Sequence, residues 1–213
     1  MNVVALVVAV VSALCAVYAV WYARRQAAAA DRSAVASERS AVAAEGAVAL
    51  EASRRHAELT PRFRVTADCA VPAIEGLTLT VFLAGPPELG RLDALTVSVR
   101  DDEPWRGKRG PLAGGPSPEQ VAAQVWGPYE FAEEADPTGH AASPEGLPVG
   151  ESLRFSMQAT WPPRWSGQRM SSWRSQVGTV LRLQLDCVRE GSEPWTLACE
   201  LDTADESVTV EVP

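Results

Sequence analysis

The chain has 213 residues, 46% hydrophobic and 22% charged, which excludes a disordered polymer and admits one sizeable domain with accessory segments. Its net charge is −8; residues 60–213 have 13 Lys+Arg against 22 Asp+Glu, a net of −9, and residues 1–59 have 6 against 5, a net of +1. A body of that sign is repelled by phosphate backbones, so nucleic acid is not an expected partner.

Residues 3–23, "VVALVVAVVSALCAVYAVWYA", carry no charge. As a helix they span roughly 31 Å, the thickness of a bilayer core, so residues 1–23 are expected to form a transmembrane helix. Tyr18, Trp21 and Tyr22 cluster at one end and Arg24 and Arg25 follow, which are the expected membrane-interface residues. Arg24, Arg25, Arg32 and Arg39 follow the span and no Lys or Arg precedes it. The positive-inside rule then puts the N-terminus outside and the C-terminal domain in the cytoplasm, as a single-pass protein of the cell membrane. The alternative places the C-terminal domain outside. A cytosolic setting keeps Cys69, Cys187 and Cys199 as thiols; a Cys187–Cys199 bridge is expected only with the reverse orientation.

Residues 24–59 contain no proline and one glycine, Gly46. A seven-residue repeat, "DRSAVAS", "ERSAVAA", "EGAVALE", starts at Asp31, Glu38 and Glu45. This predicts an Ala-rich helical stalk. Its adjacent apolar positions leave two readings open: a weak coiled coil that gives a homodimer, or a single helix lying on its own domain or on a partner. The helix is expected to end at Thr60, ahead of Pro61.

From Pro61 the period changes to two. Phe63, Val65, Ala67 and Cys69 alternate with polar residues, as do Leu77, Leu79, Val81 and Leu83, and Leu95, Val97 and Val99. The same alternation runs through Leu153, Phe155 and Met157; Leu181, Leu183, Leu185 and Cys187; Trp195, Leu197, Cys199 and Leu201; and Val208, Val210 and Val212. Seven strands follow, with an eighth short one in "GPYEF". Residues 60–213 are therefore expected to form an antiparallel all-β sandwich of immunoglobulin-like architecture. One short helix is inserted, with Ser117 and Gln120 as a capping box, Pro118 at its first position, and Gly127 and Pro128 closing it. Residues 132–149 read as a mobile loop.

The stretches "GPPELGRLD", "PSPEQVAAQVWGPYEF" and "REGSEPWTLACEL" resemble a group of uncharacterised actinobacterial membrane-anchored proteins with a C-terminal β-rich domain. That resemblance implies one anchored domain and carries no activity or site.

Motifs for catalysis are not found. His56 and His140 are too isolated for a zinc set or a triad, and no H-E-x-x-H, C-x-x-C, G-x-S-x-G or P-loop pattern occurs. Acidic runs at 101–103 and 133–136 suit calcium only if they converge. No catalytic residue, cofactor or metal is therefore expected. The richest stretch is residues 161–176, "WPPRWSGQRMSSWRSQ", with Trp161, Trp165 and Trp173 beside Arg164, Arg169 and Arg174. These six residues either close an end of the sandwich or bind a protein partner, since Trp and Arg dominate interface hot spots. The expectation is a membrane-tethered, non-enzymatic interaction module that presents its sandwich to a protein partner. The alternatives are an envelope-facing domain that binds cell-wall glycan or an extracellular protein through this loop, and an enzyme with no readable motif.

Overall fold

The computed structural model describes residues 3–69, 76–100, 116–132, 136–144 and 146–213, with the backbone alone for 3–15, 17 and 27–36. The acidic run at 101–103 and most of that at 133–136 lie outside the described residues. The chain divides into two units, Met1–Arg55 and His56–Pro213.

The first unit is helical. Helix α1 runs without a break over Val3–Glu58, as expected of a proline-free, alanine-rich sequence. The expected transmembrane span is corrected here. Among the described residues no helix is long and apolar enough to cross a membrane, and the single-pass architecture falls with it. The apolar run among the described side chains is too short. The described side chains begin at Ala16 and Tyr18, Arg24 and Arg25 follow within one to two turns, and the rest of α1 alternates Ala with Ser, Glu and Arg. No such run approaches the roughly 20 apolar residues that a hydrocarbon core demands. The side chains of residues 3–15, on which the span chiefly rested, lie outside the described residues. Further along α1, Val42, Val48 and Leu50 are exposed.

The second unit is two antiparallel sheets over one core. Strands β1 (Arg62–Cys69), β2 (Gly76–Gly85), β3 (Ala94–Val99), β4 (Tyr129–Phe131), β5 (Ala141–Ala142), β6 (Ser152–Ala159), β7 (Val180–Val188), β8 (Trp195–Asp202) and β9 (Ser207–Val212) follow in chain order. One sheet has the order β4-β6-β2-β1-β9 and the other β5-β3-β7-β8. The alternation seen in sequence is the alternation of burial. Phe63, Val65, Leu79, Val81 and Leu83 of the first sheet meet Leu95, Val97, Leu181, Leu183 and Leu185 of the second in a single cluster. Each such side chain contributes about 1.5–3 kcal/mol by leaving water.

Cys187 and Cys199 also face inward, and burial, then a neighbouring carboxylate, pushes each thiol up to about 12. Cys187 pairs with Trp195 and Cys199 with Leu183, so four ladder steps, about 14 Å, separate them. A disulfide needs Cα atoms within about 7 Å, so the conditional bridge is ruled out by register whatever the orientation. Cys69, Cys187 and Cys199 are free.

The seven alternating strands and the short one at Tyr129–Phe131 are present. The loop segment 132–149 holds more structure than its composition announced. It contributes β5, buries Leu147, and bonds Leu92 and Leu147 reciprocally, N to O, at 2.9 and 3.0 Å. This close pass needs Gly146, where an added Cβ would lie 2.3 Å from the Leu92 carbonyl oxygen. Helix α2 spans Pro118–Ala122 and carries the predicted capping box, but stops short of Gly127. Helix α3, Met170–Val177, falls inside the Trp/Arg stretch and ends at Gly178, whose φ is 71°.

Candidate functional site

The Trp/Arg stretch leaves β6 at Thr160, and the three tryptophans part company there. Thr160 is buried and anchors the turn, its Oγ1 donating to the Gly127 carbonyl at 2.6 Å. The same oxygen accepts from Trp173 Nε1 at 3.0 Å. Trp173 on α3 is only 1% exposed and packs against Trp126, with ring centroids 5.7 Å apart. It belongs to the interior.

Trp161 and Trp165 point outward, 57% and 39% exposed. A short turn holds them. Ser166 donates to the Pro163 carbonyl from both its backbone nitrogen and its hydroxyl, each at 2.8 Å, and Gln168 N donates to Ser166 Oγ. Gln124 Nε2, just past α2, donates to the Trp161 carbonyl at 3.3 Å. Between these elements lies a cavity of about 310 Å³. Trp161, Pro162, Pro163 and Trp165 form its apolar walls, and Gln120, Gln124, Glu130 and Arg164 its polar edge. Arg169, at the N-cap of α3, and Arg174, in its last turn, lie outside these walls.

Glu130 is the unexpected member. It sits on β4, the outermost strand of its sheet, and accepts from Gln158 Nε2 at 2.9 Å. Burial raises its carboxyl above the ordinary glutamate value, against the opposing pull of Gln158 and of nearby His140. An adjoining cavity of about 260 Å³ shares Glu130 and is bordered by Asp136, Thr138 and Gln158. Asp136 Oδ1 accepts from Thr138 N, Thr138 Oγ1 and His140 N at 3.1, 2.9 and 3.0 Å. Partial burial opposes the charge of Asp136, but these bonds and His140 outweigh it and hold its pKa below the usual value.

No protein-family model matches the chain, and no significant match is found among curated proteins or solved structures.

A larger cavity, about 530 Å³, lies between the turn before β3 and the β7–β8 hairpin. Its lining mixes Arg91 and Arg189 with Asp93 and Glu190 and includes no aromatic ring. Asp93 is already occupied, by Glu190 N at 2.6 Å and Arg91 at 4.0 Å. The histidines are structural neighbours rather than a pair. His56 stacks flat on Trp195 at 4.7 Å, and His140 Nδ1 shares a 2.7 Å hydrogen bond with Thr138 Oγ1. Among the described residues no group of three His, Cys, Asp or Glu is placed to hold a metal ion.

The residues expected at a membrane interface are accounted for by contacts within α1. Tyr18 lies 6.1 Å from Trp21 and 6.3 Å from Tyr22, and the Arg25 guanidinium sits 5.4 Å from the Trp21 ring centre. These are the neighbours that three- and four-residue spacings bring together on any helix. Arg24 completes the helical run.

Proposed function

We propose that this protein is a non-enzymatic recognition module that binds a segment of a protein partner in the Trp161/Trp165 cleft. One observation carries this: Trp173 and Trp195 are spent on the interior, whereas Trp161 and Trp165 stay in solvent on either side of two prolines. Exposing two indoles forgoes burial worth about 1.5–3 kcal/mol each and is recovered when a partner covers them. The ring of amide, carboxylate and guanidinium groups around them suits hydrogen bonding to a backbone, the arrangement of an aromatic anchor inside a polar rim.

Selection of a displayed random-peptide library on the full chain tests this reading. Enriched peptides are expected to bind the wild type and to lose binding to the Trp161→Ala/Trp165→Ala double variant. Failure to enrich any peptide, or enrichment that the double variant leaves unchanged, overturns it.

A further inference from the structure

We infer that the occupant of this cleft is a basic, extended peptide segment, which lays a proline or aliphatic side chain against Trp161 and Trp165 and sets a Lys or Arg against Glu130. The inference rests on the recognition reading above and adds the chemistry of the partner.

Glu130 carries the argument. It is common to the two adjoining cavities, so a ligand that leaves the indoles toward Asp136 must pass it. It is half-buried, and its hydrogen bond comes from the neutral amide of Gln158. Among the described residues it takes part in no ion pair of the kind that Arg64 makes with Glu211 or Arg182 with Glu200. Burial of a carboxylate costs free energy until an opposite charge compensates it, and a ligand ammonium or guanidinium is the complement. The rise in its pKa reports the same cost.

Two further features agree. Asp136, held in its charged form, borders the second cavity, and its three bonds all fall on Oδ1. Arg164 borders only the first cavity, beside the indoles. The groove is thus polar along its length, with acids at one end and a cation at the other, which orients a chain that carries its Lys or Arg toward Glu130. The body of the protein adds to this, since residues 60–213 carry 22 acids against 13 bases and draw in cationic ligands. A neutral pyranose ring satisfies the indoles and the amides but brings no positive charge to Glu130. Proline is the apt apolar anchor because its extended helix is preformed and loses little entropy on docking to an aromatic groove.

Fluorescence anisotropy with the full chain tests this. The probes are a labelled peptide of repeated Pro-Pro-Lys units, the same peptide with Glu for Lys, and a labelled neutral chitooligosaccharide. The Lys peptide is expected to bind, to weaken as salt is raised, and to bind about tenfold more weakly to Glu130→Gln, whose melting temperature serves as the folding control. Equal binding of the Lys and Glu peptides, lost in the Trp161→Ala/Trp165→Ala variant, overturns the basic-ligand inference and leaves the recognition reading standing. An unchanged affinity for Glu130→Gln does the same. Binding of none of the three overturns the basic-ligand inference and leaves the recognition reading to the peptide selection, whereas binding of the saccharide alone overturns both.

Discussion

The indole nitrogen of Trp173 reaches the hydroxyl of Thr160 at 3.0 Å, while that hydroxyl donates onward to the Gly127 carbonyl at 2.6 Å. One buried oxygen therefore satisfies a side chain of α3 and the backbone that leads into β4. Thr160→Val keeps the shape and removes both bonds, one from a buried indole N–H and one from a half-buried C=O. The expected loss is about 2 kcal/mol, and Thr160→Ser recovers most of it. Trp173→Ala, which empties the same site, is expected to cost about 3–5 kcal/mol. Urea denaturation of the four proteins measures the order.

Trp161 and Trp165 should behave in the opposite way. Their exposure predicts that Trp165→Ala and Trp161→Ala each lower stability by only about 1 kcal/mol or less. Thermal melting checks this. A loss near that of Trp173→Ala would show that the outer indoles hold the fold rather than await a ligand.

Glu130 predicts a pH dependence with a definite sign. Its folded carboxyl titrates above 4.5, the ordinary glutamate value, because of burial. Between those two values the folded chain holds the extra proton, so this group makes stability fall as pH rises through the interval. His140, Gln158, Asp136 and Arg164 are its polar neighbours across the two cavities. The difference in stability between wild type and Glu130→Gln should therefore shift in favour of the variant from pH 4.5 upward. A flat difference across that range contradicts the assignment.

Cys187 and Cys199, pushed up to about 12, should resist alkylation in the folded protein. Iodoacetamide at mildly alkaline pH is expected to label them only after denaturant is added, as peptide mass spectrometry can read. Rapid labelling of either one in the native state contradicts its placement in the core.

The strands were legible because each buries one face, which writes period two into residues such as Leu77, Leu79, Val81 and Leu83. The cap of α2 was legible for a local reason, since Ser117 and Gln120 bond to each other within one turn. Helix α3 was not, because "MSSWRSQV" has serines where a helix-forming run would have alanine or leucine. The fate of the tryptophans was beyond local pattern. What turns Trp173 inward is a hydroxyl bonded to a carbonyl 33 residues earlier, and what makes Trp161 part of a cleft is Gln124, 37 residues away. Glu130 had no signal at all, for its importance lies in two cavities that exist only once β4 is docked.

The return of the chain beneath Leu92 is closed to substitution at a single point. At Gly146 any side-chain carbon meets backbone oxygen at Leu92 and Asp93, at 2.3 and 2.8 Å, and neither can swing aside as a flexible tip would. Natural drift along this return should thus leave that codon invariant while Ala141, Ser143 and Pro144 vary around it. A saturation library sorted for folded protein should recover glycine alone there.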